Sequence, residues 1–193
     1  MFSGGSVTRH GAILLGFLLL IGRSWADNSH AEFDLLQTFF YQPDGVLKKR
    51  LVDQEESLAH LKACVDLIVA YANARLEAKD PGTFFVVMVL KPGKRIKLWI
   101  EGIDVPLEAG KSSELAGELA KLDVPSVIGG PVAFAFCMSR ESVAPKEGPC
   151  NDQDPQSGLP IPKQWKDARP KLSAPVLPDG IMPFVWPDQT DHQ

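Results

Sequence analysis

The sequence predicts an α+β domain in which a long amphipathic helix and shorter helices pack on a small, about three-stranded and mainly antiparallel sheet, followed by a proline-rich irregular tail. Three observations predict it. Residues 46–79 repeat apolar side chains at helical spacing, residues 83–101 hold two apolar runs around a Pro-Gly pair, and ten of the sixteen prolines fall between Pro145 and Pro187. Helices and strands that cluster, rather than alternate in βαβ units, place the chain in the α+β class.

The chain opens with Arg9, an uncharged run from Gly11 to Ile21 and the small residues of Ser24-Trp25-Ala26. This is the layout of a secretory signal peptide, and the expected cleavage follows Ala26. The apolar run is about half of the roughly 20 residues that a spanning helix needs. The expected organisation is a leader over 1–26, a globular domain over 27–142 and a tail over 143–193 partly docked on that domain. The expected location is periplasmic or secreted, with no membrane span after cleavage.

Glu32 to Gln42 reads as a short helix with Phe33, Leu36, Phe39 and Phe40 on its apolar side. Pro43-Asp44-Gly45 breaks it, and Asp44 is placed to cap a long helix from Val46 to Lys79. Leu58, Leu61, Val65, Ile68 and Ala72 recur at steps of three and four as one buried stripe, opposite Lys48, Lys49, Arg50, Asp53, Glu55, Glu56 and Lys62. Thr83–Leu90 and Arg95–Glu101 are rich in β-branched and aromatic residues and form a hairpin. A two-residue Pro92-Gly93 loop pairs Val89 with Ile96, Val87 with Leu98 and Phe85 with Ile100, and a longer loop remains open because Pro-Gly suits a type II turn. Ser112 to Leu122 is a further helix, with Leu115, Leu119 and Leu122 inward. Pro131 to Met138 makes a third strand, with a bulky face (Val132, Phe134, Phe136, Met138) and a small one (Ala133, Ala135, Cys137) that a helix can approach closely. Its place beside either hairpin strand is open.

Composition narrows the function classes. The leader takes Arg9 and Arg23 from the 20 basic residues, leaving 18 against 24 acidic ones, a formal charge of −6. Phosphate neutralisation needs clustered Lys and Arg, so neither nucleic acid nor an anionic lipid surface is an expected partner. No Asn-x-Ser/Thr acceptor occurs, which favours a bacterial envelope over a eukaryotic secretory route.

Three cysteines in an oxidising compartment suggest one bridge and one remaining thiol. Cys137 and Cys150 are the preferred pair, since their bond would pin the start of the tail to the last strand. Cys64–Cys137 is the competitor.

No catalytic, cofactor-binding or metal-binding set is assigned. Gly110-Lys111-Ser112 resembles the end of a phosphate loop, but Val105 stands where the first glycine belongs. His60 and Cys64 share a helix face without a further ligand, so the expected reading is a helix-edge histidine beside a core cysteine. Asp53, Glu55, Glu56 and Asp66 sit where a wet helix face places them.

Trp99 on the hairpin and Trp165, Phe184 and Trp186 in the tail are the candidate partner-contact residues. The tail is too apolar for a purely disordered segment, and the expectation is that it covers Phe84, Val86, Met88 and Trp99. The functional expectation is a non-catalytic protein-binding or accessory protein of the bacterial envelope, its partner another envelope or secreted protein. The alternative is a small periplasmic hydrolase using carboxylates.

Overall fold

In the computed structural model, which describes residues 32–140, 150, 158–171 and 178–188, nine strands and α-helices follow one another, with a short 3-10 turn at Arg169–Lys171 after the fourth α-helix. They are β1 (Phe33–Phe40), α1 (Asp44–Arg50), α2 (Gln54–Arg75), β2 (Thr83–Lys91), β3 (Arg95–Gly102), α3 (Ala109–Leu119), β4 (Val132–Arg140), α4 (Lys163–Ala168) and α5 (Pro178–Val185). The predicted leader with its cleavage site, and the intervening parts of the tail, lie outside the described residues.

The strands form one antiparallel sheet in the order β1-β4-β2-β3, and the fold is α+β. The sheet has four strands where the sequence predicts about three, because Glu32–Gln42 is a strand and not a helix. Its register against β4 shifts between Leu35 and Gln37. That bulge leaves Leu36 41% exposed and changes which face each later residue takes. Leu35 therefore joins Phe40 on one face while Phe39 and Tyr41 take the other. Spacings of five, with both faces buried, erase the alternation that marks a strand.

The hairpin is displaced by one residue from the two-residue-loop register. Pro92-Gly93-Lys94 forms a three-residue loop, with Gly93 at φ 83° and Lys94 at φ 55°. Val89 consequently faces Lys97, Val87 faces Trp99 and Phe85 faces Glu101. A slip of one residue exchanges the two faces of a strand. Phe84, Val86, Met88 and Leu90 thus turn toward the helices, with the bulky side of β4 and with Ile96, Leu98 and Ile100. Phe85, Val87 and Val89 take the opposite face with Trp99 and the small residues Ala133, Ala135 and Cys137. β4 lies beside β2, the first hairpin strand, which is buried along all nine residues.

The predicted long helix is two. Chain direction changes at Leu51, which bridges Val127, and Asp53 restarts the helix by accepting the Glu56 N–H at 2.9 Å. Asp44 is not a cap; it stands in the first turn of α1 and pairs with Lys48 at 2.6 Å. Along α2 the buried line is His60, Cys64, Ile68 and Ala72. The predicted stripe is correct at Ile68 and Ala72, Leu61 and Val65 are half-buried, and Leu58 is 40% exposed. α3 begins three residues before the predicted Ser112, with Leu115 and Leu119 buried as expected. Among the described residues no helix is long and apolar enough to cross a membrane.

Candidate functional site

The face of the sheet away from α2 and α3 is covered by chain from the tail. Ile161, Trp165 and Ala168 of the α4 region and Ile181, Met182 and Val185 of α5 pack on Phe85, Val87, Val89, Trp99 and the small side of β4. The tail therefore covers the odd-numbered residues of β2 and not the predicted Phe84, Val86 and Met88, a direct result of the hairpin slip. Trp165 is at the centre and is fully buried. Its ring meets Tyr41 (centroids 5.5 Å apart, planes at 61°) and Trp99 (5.3 Å, 82°), both edge to face, the favoured approach for aromatic quadrupoles. The alanines of β4 leave the depth that this ring fills.

Polar groups fasten the segment. The Tyr41 hydroxyl donates to the Pro160 carbonyl. Burial, reinforced by the charge of Glu101, holds the Tyr41 pKa well above its ordinary value of 10.0, so the hydroxyl stays a donor. Trp99 Nε1 donates to Gln164 Oε1 at 2.6 Å, and Lys97 Nζ donates to the Val185 carbonyl at 2.7 Å. Burial first, and the charge of Lys91 second, lower the Lys97 pKa. Lys91 is buried along its stem and donates to the Trp186 carbonyl at 2.5 Å and to Asp188 at 3.0 Å. Arg95 also meets Asp188, at 2.9 Å. At the other end of α5, Arg50 grips Asp179 at 2.9 Å while donating to the Pro131 carbonyl. Gly130, at φ 142°, holds a backbone state that strains a residue with a side chain, and a Cβ there would come within 2.9 Å of the Arg50 guanidinium and push it aside.

The four predicted contact residues thus divide. Trp99 and Trp165 are buried inside this face, whereas Phe184 is 47% exposed and Trp186 is half-buried. Lys91 Nζ and the Arg95 guanidinium lie 4.8 and 5.9 Å from the Trp186 ring centre, within cation–π range. Tyr41, Lys91, Lys97 and Gln164 were not singled out from the sequence. No local pattern marks them, since their roles depend on a register that appears only when the sheet and the tail are placed together.

The other chemical candidates are engaged structurally. Cys137 and Cys150 are paired at disulfide distance, with Cα atoms 6.1 Å apart, and Cys64 is free and buried. His60 Nε2 lies 3.5 Å from Cys64 Sγ. Burial pushes the Cys64 thiol up to about 12, so it is protonated at neutral pH and lacks the thiolate that nucleophilic or metal chemistry requires. Lys111 lies in the first turn of α3 and donates to Asp80 at 2.5 Å. Asp53 caps α2, and Asp66 binds Lys62 at 2.5 Å.

Two carboxylates stabilise the turns around β2. Burial alone would raise the pKa of Asp80, but the Lys111 ammonium and the Glu77 N–H outweigh it and lower the value below 3.8. Asp104 is likewise opposed by burial and lowered by the N–H groups of Gly82 and Thr83. A carboxyl whose folded pKa is depressed contributes stability above its unfolded pKa, and that stability is lost as pH falls through the lower folded value. Acid unfolding is therefore expected to steepen below about pH 4. Urea midpoints measured from pH 6 to 2 should show Asp104→Asn losing stability mainly at the upper end of that range; an unchanged pH slope in this variant would exclude the assignment.

No known protein family, curated protein or solved structure matches this chain. The fold and the site together define an α+β domain whose C-terminal segment is strapped across one face of its sheet, with an aromatic pair at the strap's outer end.

Proposed function

We propose that the chain is an exported, non-catalytic protein-binding or accessory protein of the bacterial envelope, and that it meets its partner through Phe184 and Trp186. The observation that carries the reading is the exposure of Phe184 on α5, with half-buried Trp186 just past the helix end, in a segment tied down at both ends. Arg50 holds Asp179 at one end, and Lys91 and Arg95 hold Asp188 at the other. Aromatic anchors dominate protein interfaces, and a contact already held in place loses less freedom on binding. The leader-like residues 1–26 and the cysteine pair support export. Trp99 and Trp165 take a supporting role, since Trp165 of the strap is seated against Trp99 of the sheet.

A photo-crosslinking residue at position 184, introduced in the native host, should give a discrete adduct in the envelope fraction. The crosslinked chain should begin at Asp27, and Trp186→Ala should reduce the adduct several-fold. Adducts no stronger than those from a crosslinker at exposed Glu55, or a chain retained in the cytosol, would reject the reading.

A further inference from the structure

We propose that the protein forms a two-fold homodimer through the free edge of β3, joining two four-stranded sheets into one of eight strands. Ile103 N–H donates to the Thr83 carbonyl at 2.9 Å, which continues the β2–β3 register by one pair. Backbone groups alternate sides along an antiparallel strand. The odd-numbered residues of β3 thus bond to β2, and Ile96, Leu98 and Ile100 turn their N–H and C=O groups outward. β3 ends the sheet, and no backbone partner meets these groups among the described residues.

The sequence of this edge is complementary to itself. An antiparallel copy centred on Leu98 places Leu98 against Leu98, Ile96 against Ile100, Lys97 against Trp99 and Arg95 against Glu101 of the second copy. The outward-bonding residues are then the ones that pair by hydrogen bonds. The one charge pair, Arg95–Glu101, is opposite in sign and is made twice across the axis, beside the contacts that Arg95 makes with Asp188 and Glu101 with the Lys163 N–H of its own chain. Lys97 meets the Trp99 ring as a cation against an aromatic face. Cross-strand pairs of this kind stabilise a sheet, whereas like charges directly opposite oppose pairing.

Two further features distinguish this edge. The other edge strand, β1, carries a bulge at Leu36, a device that prevents edge pairing; β3 runs through eight register pairs without a break. Above β3, α3 turns Leu115 and Leu119 to the core, and its Glu114 binds Tyr71 and Arg75 of α2. At 100° per residue, the flank turned away from α2 then carries Ala109, Ser113 and Ala116, with Ala120 just past the helix end. Small residues there allow two copies of α3 to approach across the axis at helix-packing distance.

Sedimentation equilibrium of the exported protein, purified over micromolar concentrations, tests the proposal. Wild type should be dimeric. Arg95→Glu and Glu101→Arg should each weaken dimerisation about tenfold or more, and the double variant Arg95→Glu/Glu101→Arg should restore it. Ser113→Glu, an exposed helix position with no fold requirement, should weaken it independently. A wild-type monomer at about 100 μM, a dimer affinity too weak to matter at the micromolar level, would overturn the proposal. So would a dimer indifferent to both single charge reversals and to Ser113→Glu.

Discussion

Trp165→Ala is expected to lower the unfolding free energy by about 4 kcal/mol, the usual range for removing a large buried aromatic being about 3–5 kcal/mol. The ring is fully buried and touches Tyr41 and Trp99 edge to face. The alanines on β4 cannot move outward to fill the space it would leave, because their backbone is fixed by strands on both sides. Trp165→Phe should be much milder, within about 1.5 kcal/mol of wild type. Trp165 Nε1 is buried without a hydrogen-bond partner among the described residues, and an unmet buried donor costs about 1–3 kcal/mol. Phenylalanine loses part of the ring but also removes that cost. Phe184→Ala, at the exposed end of the same strap, should stay within about 0.5 kcal/mol. Urea unfolding followed by circular dichroism reads all three. A Trp165→Ala loss below about 1 kcal/mol would mean that the strap is not seated on the sheet in solution.

The parts of this fold that the sequence reveals are those governed by local periodicity. Ile68 and Ala72 lie in the core where the helical spacing puts them, and the two hairpin strands and β4 begin and end within a few residues of their predicted limits. The small and bulky faces of β4 also divide as predicted, because alternation along a regular strand survives burial on both sides. What was not legible depends on contacts distant in sequence. Leu51 leaves the helix to bridge Val127, a partner 76 residues away, and nothing near Leu51 announces it. β1 is a strand because β4 offers it an edge, and the bulge at Leu36 gives its side chains a spacing that imitates a helix. The hairpin slip arises from Lys94 taking a left-handed backbone that an L-residue seldom adopts. That one conformation decides which face the strap covers. It also decides that Val87 and Val89, not Val86 and Met88, share the strap's face with Trp99 and Lys97.

Removing the Cys137–Cys150 bond is expected to cost about 3 kcal/mol. The cysteines are 13 residues apart, and closing a loop of that size restricts the unfolded chain by about that amount in the chain-entropy estimate. Cys137 lies on the small face of β4, between residues whose neighbours are Ala133 and Ala135, so Cys137→Ala/Cys150→Ala keeps the face apolar and isolates the crosslink. Serine at either site would add a buried hydroxyl and a further penalty of about 1–3 kcal/mol. For a domain of this size, a loss of about 3 kcal/mol lowers Tm by about 6–12 °C. Calorimetry of the oxidised wild type against the double alanine variant checks the value, and thiol titration of the unfolded oxidised protein should find Cys64 alone. Equal Tm values, or three titratable thiols, would exclude the bond as a constraint. The effect should extend beyond stability. Cys150 is the described residue at which the chain is anchored to β4 before the strap begins, and it is buried with φ 58°, a backbone state that costs a non-glycine residue. The crosslink holds that residue against the sheet. Without it the strap keeps its own contacts through Trp165 and α5 but enters from an unfixed start, so crosslinking at position 184 should weaken at temperatures where the oxidised protein is still folded.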